Sequence, residues 1–457
     1  MNTSITYDNP VIRGFFPDPS ICRAEGKYYL VCSSFQYFPG IPLFESSDLI
    51  NWKQIGHILT RESQLPLHGA DSSGGIYAPT IRFHNGWFYV TATNVNYMGN
   101  FFVRTDNIYG EWSDPIPVDQ DGIDPSLYFE DDAVYFMSNH ANKDGSACIM
   151  QCRIDPLTGA RLEASRPVWN GCGGRYLEAP HLYRINNRYY LMAAEGGTEY
   201  GHMVVIARGD NPYGPFENSP DNPIVSNRDL GGYPLQGTGH GDLIQDEFGN
   251  WWMVLLAFRQ IGQYLPFHHL GREVCLIPVY FTANGWVNAG AKGKVYLHNT
   301  FSRPCRAKQK FTPDVFTFLN IRPGKELVWL RNPDLSNYDL SLYDSNTPII
   351  KMRGTSSDLS EAEHSPTFLG IRQREMRGHS QVRIELPCSG EAGFTLYMNH
   401  DAHYDFAIIK ERKTAAIILR RVAGDLTDIR REPLPPGIQS VILHIEMDAQ
   451  TYSFQAE

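Results

Sequence analysis

The chain has 457 residues, 42% of them hydrophobic, which is apolar material for large buried cores and more length than one ordinary compact domain holds. Its 50 acidic residues outweigh 40 basic ones, giving a net charge of −10 with no basic stripe that could follow a phosphate backbone, so nucleic acid is not the expected partner. No apolar run is long enough to span a membrane, and 40 glycines, 30 prolines and 12% aromatics point to an all-β chain of short strands and tight turns.

Met1 leads through Asn2-Thr3-Ser4 into a first apparent strand with no basic region, apolar stretch or small-residue cleavage site. Cytoplasmic residence is the expectation, although a chain trimmed of its signal would read the same. Aromatic strand cores then recur: Lys27-Tyr28-Tyr29-Leu30, Trp87-Phe88-Tyr89-Val90, Ala133-Val134-Tyr135-Phe136, Arg188-Tyr189-Tyr190-Leu191 and Asn250-Trp251-Trp252-Met253. Five similar units at intervals of roughly fifty residues predict a five-bladed β-propeller.

About ten residues before each core, one strand and a turn, lies a polar motif. In order these are Phe16-Pro17-Asp18-Pro19-Ser20, Gly75-Ile76-Tyr77-Ala78-Pro79, Ile123-Asp124-Pro125-Ser126, Leu177-Glu178-Ala179-Pro180-His181 and Gly239-His240-Gly241-Asp242. The first strand of each propeller blade lines the central channel, so equivalent positions converge on one mouth. Asp18, Asp124, Glu178 and His240 are therefore expected around one spot.

Past about Phe301 the aromatic repeat stops. Alternating runs follow, at 368–371, 382–386, 394–397, 406–409, 416–419 and 441–445, the period-two pattern of a β-sandwich. The division expected is a catalytic propeller over residues 1–305 and a sandwich over 306–457. The last run, Tyr452-Ser453-Phe454, reads as one more strand and leaves open whether the sandwich is cut short. Eight cysteines (22, 32, 148, 152, 172, 275, 305, 388) form no CxxC and mostly sit in strand-like segments, the pattern of buried reduced thiols.

Glycosidic cleavage needs a proton for the leaving oxygen and a nucleophile at the anomeric carbon, tasks divided between carboxyls in different protonation states. A third carboxylate beside the acid raises its pKa, because two negative charges in a confined site resist ionising together. Taken singly, Asp18 and Asp124 are ordinary Asp-Pro turn starters and Glu178 sits in an equally plain Glu-Ala-Pro turn. Their shared phase in three blades is what favours catalysis.

The motifs Gly14-Phe15-Phe16-Pro17-Asp18-Pro19-Ser20, Ser33-Ser34-Phe35, Phe38-Pro39-Gly40, Ser73-Gly74-Gly75-Ile76-Tyr77-Ala78-Pro79, Tyr176-Leu177-Glu178-Ala179-Pro180-His181-Leu182 and Ala194-Glu195-Gly196-Gly197-Thr198 resemble the family 43 glycoside hydrolases, within them the two-domain β-xylosidases. The resemblance implies a concanavalin-like sandwich, an inverting mechanism, Asp18 as general base, Glu178 as general acid and Asp124 as the carboxylate that tunes the acid. It also implies substrate binding by Phe35, Tyr77, Thr198, His240 and Arg272.

Four of the five binding residues have a plainer structural alternative: blade core for Phe35 and Tyr77, a strand-edge ion pair for Arg272, a hydrogen-bonded core histidine for His240. Tyr77 stands where some close xylosidases carry tryptophan. His268-His269 reads as loop, since adjacent side chains in a strand face opposite ways. No cofactor is required. Calcium enters only as a species that His240 helps hold, through water, in some relatives, and calcium prefers oxygen donors.

The expected substrate is a xylo-oligosaccharide clipped one xylose at a time from its non-reducing end. An α-L-arabinofuranosidase on arabinose-containing oligosaccharides is the alternative, and a sugar-binding propeller without turnover is the non-enzymatic one. The sucrose-splitting propellers fit the motifs poorly. Homo-oligomers remain compatible with the sequence.

Overall fold

The aromatic repeat becomes five four-stranded antiparallel sheets, each cut from one continuous stretch of chain. The structure is a computed structural model describing residues 4–262, 267–302 and 315–457. The first strands of the blades are Ser20–Ala24, Ile76–His84, Ser126–Glu130, Glu178–Ile185 and Leu235–Gln245. The aromatic cores are the second strands, Lys27–Val31, Trp87–Asn94, Ala133–Ala141, Arg188–Glu195 and Trp251–Arg259. These strands are buried on both faces because blades pack face to face, which is why they carry aromatic and β-branched residues rather than a polar alternation.

Local turn chemistry sets the common phase. Three of the first hairpins close through two residues that both have positive φ: Glu25 (51°) and Gly26 (77°), Asn85 (48°) and Gly86 (81°), Asn186 (51°) and Asn187 (62°). Such turns match the strand twist and fix the register. The motif at the entry to an inner strand or within it is thereby delivered to the same end of the channel. The ring closes where Ile5–Asp8 pairs antiparallel with His298–Phe301, and where the buried Asn9 side chain bonds both backbone groups of Leu276 on the last blade.

Beneath that end, Asp242 is fully buried and serves four blades. It accepts hydrogen bonds from Ser20 Oγ (2.6 Å) and the Ile21 N–H (3.0 Å), from Arg82 Nη1 (2.8 Å) and Nη2 (3.1 Å), and from Tyr183 Oη (2.6 Å). Arg82 Nη2 also meets His181 Nδ1 at 2.9 Å.

The second unit holds a sheet of Gly390–Asn399, Ala402–Glu411, Thr414–Ala423 and Leu426–Pro433 facing one of Gly378–Glu385, Ser440–Met447 and Tyr452–Ala456. Its core centres on Phe406, Ile408, Val441 and Leu443. The run 368–371 is not a strand; only Gly370 forms a bridge, to Val328. The 426–433 strand escaped sequence reading because every one of its residues is exposed, leaving no apolar alternation to read.

Among the described residues the single helix is a one-turn 3-10 segment, Leu335–Asn337, and no helix is long and apolar enough to cross a membrane. Five of the seven described cysteines are buried, while Cys172 and Cys388 are exposed. Cys305 and the expected boundary at 305/306 lie outside the described residues.

Removing one partner of a buried ion pair strands the other charge, at a cost of about 3–5 kcal/mol. Asp242→Asn is therefore expected to lower the denaturant midpoint of the propeller substantially. An unchanged midpoint would contradict the hub.

Candidate active site

Asp18, 6% exposed, sits on the loop entering the first inner strand. Its Oδ2 accepts from Ser33 Oγ at 2.6 Å and its Oδ1 from Arg272 Nη1 at 2.9 Å, with His240 Nδ1 3.5 Å from the same Oδ1. Burial alone would push this carboxyl up. The Arg272 cation, His240 and the Ser33 hydroxyl outweigh it and hold Asp18 below the ordinary carboxylate range.

The other two carboxyls are shifted the opposite way. Burial raises Asp124 well above the ordinary range, and the charges of Glu178 and Asp18 raise it further against the Ala179 N–H. Burial and then Asp18 lift Glu178 to about 7, with Arg272 opposing. The single cation thus serves Asp18 first, and the Asp124/Glu178 pair holds on to a proton through neutral pH because its members share one dry space.

The backbone is strained where these groups sit. Asp18 (φ 58°), Asp124 (54°), Phe35 (49°) and His240 (48°) all occupy the left-handed region, which costs a non-glycine residue roughly 1 kcal/mol or more. Irregular pairing between Glu178 and His181, and on both sides of Gly239, aims the fourth and fifth motifs off the regular ladder.

An aromatic wall adjoins Asp18. Phe35 stacks on Phe15 with centroids 5.5 Å apart, meets Tyr77 edge-on at 5.4 Å, and lies 5.7 Å from the Arg272 guanidinium carbon. Tyr77 is pushed up by burial and then by Asp124, with Arg272 opposing and Asp18 adding, which places its hydroxyl among the same charges. The Phe35 N–H donates to the Ile76 carbonyl at 2.9 Å, tying the first blade's loop to the second blade's inner strand.

The structure therefore brings together Asp18, Asp124, Glu178, Phe35, Tyr77, His240 and Arg272. Thr198 lies exposed on the loop after Arg188–Glu195, and no described contact joins it to the carboxyls. Sequence reading missed Ser33 and Phe15 as parts of the site, although both stand inside the quoted motifs. It also missed His202, buried beside His240 and close enough to Asp18 to help lower it.

Among the described residues no group of three or more His, Cys, Asp or Glu is placed to hold a metal ion. The surroundings of His240 do not fit calcium. Calcium takes six to eight oxygens, whereas the charged neighbours of His240 are Arg272 and the carboxylates of Asp18 and Asp242, whose oxygens are already engaged by Ser33 and Arg272 and by Ser20, Arg82 and Tyr183.

A Ser–His–Asp row also occurs in the second unit, with Ser360 Oγ 3.2 Å from His403 Nε2 and His403 Nδ1 2.9 Å from Asp405 Oδ1. Acyl transfer would need free N–H donors beside the serine. The Ser360 and Glu361 N–H groups are both bonded to Asp358, at 2.8 and 3.4 Å, so the row is a strut under that turn.

A five-bladed propeller with three carboxyls of divided protonation at its mouth defines a glycosidase. Residues 7–287 match the model of the glycosyl hydrolases family 43, and residues 316–457 match that of the beta xylosidase C-terminal concanavalin A-like domain. The chain belongs to glycosyl hydrolase family 43.

It is 38% identical to a non-reducing end alpha-L-arabinofuranosidase of Bacteroides ovatus over 98% of this chain and 84% of that one. A xylosidase/arabinosidase of Butyrivibrio fibrisolvens is 37% identical over 89% and 81%. The solved structure of a family 43 protein from a Bacteroides ovatus xyloglucan locus superposes with a TM-score of 0.90 at 36% identity, covering 99% of this chain and 89% of that one.

Gly271 supports the aromatic wall: at φ 80°, a Cβ there would lie 2.4 Å from the Phe15 ring. Gly271→Ala is expected to displace Phe15 from Phe35 and shift Arg272. It should cut kcat/KM more than tenfold, with the far-UV circular dichroism unchanged.

Proposed function

We propose that the chain is an exo-acting inverting glycosidase that releases single xylosyl units from the non-reducing ends of xylo-oligosaccharides. The observation that carries this reading is the opposite displacement of the carboxyls: Asp18 held ionised, the Asp124/Glu178 pair holding a proton. In this reading Glu178 gives its proton to the leaving oxygen while Asp18 takes one from the attacking water, a single displacement that inverts the anomeric carbon. Asp124, holding its own proton beside it, is the carboxyl that tunes and orients Glu178. Arg272 orients Asp18 and, on its free side, meets sugar hydroxyls; Phe35 and Tyr77 present ring faces to the sugar and exclude water.

Xylose as the sugar is supported by the second unit's likeness to a xylosidase domain. The Bacteroides ovatus relative, named an arabinofuranosidase, favours α-L-arabinofuranosyl units as a second substrate. Turnover of aryl β-xyloside and aryl α-L-arabinofuranoside compares the two directly. A clear preference for the arabinoside would reverse their order. Proton NMR of the first sugar released from the β-xyloside should show the α-anomer; the β-anomer would rule out single displacement.

Asp18→Ala is expected to lose activity on both substrates, about a thousandfold or more. Glu178→Ala should lose it on alkyl xylosides and recover on aryl xylosides whose leaving group needs no proton. Full rates in both variants would sink the assignment.

The pH profile of kcat/KM should be a bell. Its alkaline limb lies near 7, where Glu178 gives up its proton, and its acid limb lies below the ordinary aspartate value of about 3.9, where Asp18 takes one. Asp18 is the charge that resists Glu178 ionisation and Asp124 still holds its own proton there, so Asp124→Asn, which mimics the protonated acid, should leave the alkaline limb near 7.

A further inference from the structure

The loop that carries Asp18 is gripped from the second unit. Gly14, at φ 89°, has no room for a side chain: a Cβ would lie 2.9 Å from the Gln373 carbonyl oxygen and 3.2 Å from Arg374 Cγ. Phe16, 1% exposed, is covered by the guanidinium groups of Arg372, 4.9 Å from its ring centre, and Arg374, at 5.8 Å.

Glu375 then begins a row of charges that runs into the propeller. Its Oε1 pairs with Arg13 and its Oε2 lies 3.3 Å from Arg259 Nη1. Arg259 forks onto Glu273, Nε to Oε2 at 2.7 Å and Nη2 to Oε1 at 2.9 Å, and its Nη2 also donates to the Arg374 carbonyl at 2.8 Å. Glu273 is fully buried, and its Oε1 accepts the Gly14 N–H at 2.8 Å. It directly follows Arg272, whose carbonyl accepts the Phe16 N–H at 3.0 Å and whose Nη1 holds Asp18.

We propose that Glu375 is a positioning residue of the hydrolytic site: acting through Arg259 and Glu273, it fixes the 14–18 loop and with it the Asp18–Arg272 pair. The inference rests on the reading of Asp18 as the base. Glu273 is the vulnerable link: burial and, less, the Glu375 charge push its pKa up, and the Arg259 fork, helped by the Gly14 N–H, opposes this, so its hold on the loop depends on Arg259 staying where Glu375 orients it. Loosening Glu375 frees Arg259 to reorient, and Glu273 can then release the loop. No part of Glu375 has to touch the sugar.

The test compares Glu375→Gln with Glu391→Gln, which breaks an ion pair to Arg420 wholly inside the second unit. Each variant is assayed in the full chain for kcat, KM and the pH profile on aryl β-xyloside, with its thermal midpoint recorded. Glu375→Gln is expected to lose about tenfold in kcat/KM, mostly in kcat. Its acid limb should move to higher pH, because Asp18 loses the close cation that holds it down. Glu391→Gln should match the parent chain.

Arg259→Lys, which keeps the charge and loses the fork, should act like Glu375→Gln and decides the matter if the latter does not fold. Unchanged kcat/KM and acid limb in Glu375→Gln overturn the proposal. So does a loss that follows the thermal midpoint alone, with the limb unmoved. Asp18→Ala separates the two readings: if it stays active the base assignment fails, whereas if it is dead and Glu375→Gln is normal only the clamp fails.

Discussion

A carboxylate with no access to water, Asp242, is what the mouth of the propeller is built on. Its bonds to Ser20, Ile21, Arg82 and Tyr183 reach the first, second and fourth blades from the fifth. Each anchor stands a few residues along the same inner strand from a group at the mouth: Ser20 after Asp18, Arg82 after Tyr77, His181 after Glu178, Asp242 after His240. One ionic knot therefore sets the relative height of four inner strands. Burying such a pair need not add net stability, since desolvation takes back most of the Coulomb gain. Its worth lies in register: a strand that slipped would leave Arg82 or Asp242 charged and alone.

The same burial acts on all the carboxyls above the knot, so differences among them come from their partners. Asp18 has a guanidinium at 2.9 Å and a hydroxyl at 2.6 Å; Asp124 has the charges of Glu178 and Asp18 against it, and Glu178 that of Asp18. Moving Arg272 across the site would reverse the order. In the proposed mechanism the division between base and acid is thus a matter of where one cation is placed, and that placement is inherited from Glu273, the next residue along, locked on Arg259.

Much of this was legible in the sequence, for a reason that can be stated. The second-strand aromatics are a local signal repeated five times, and repetition converts it into a phase. Phase alone located Asp18, Asp124, Glu178 and His240. Ser33, Phe15 and Asp242 were in view as motif letters, yet their partners lie on other loops or blades, and no spacing rule states which hydroxyl reaches which carboxyl. Residues 372–375, Arg-Gln-Arg-Glu, gave less still: nothing in so polar a run states what it packs against, and only the docked structure shows it lying on the 14–18 loop. The 426–433 strand failed differently, because a fully exposed strand has no hydrophobic period.

The second unit meets the pocket's aromatic wall from two directions. Beside the contact of 372–375 with Phe16, Trp329–Leu330 pairs with Tyr37–Phe38, and the fully buried Arg331 gives its N–H to the Gln36 carbonyl and its Nε to the Ala70 carbonyl at 2.6 Å. Gln36 Oε1 in turn accepts the Ser73 N–H at 2.9 Å, at the head of the segment leading to Tyr77. One support therefore stands behind Phe15 and the other behind Phe35, the two rings that stack on each other. A wall made of loops has little stiffness of its own, because its backbone bonds are few and its φ angles unfavourable. The carboxyls come from the propeller, but the rigidity of the surface against which a sugar would be held is supplied jointly by both units.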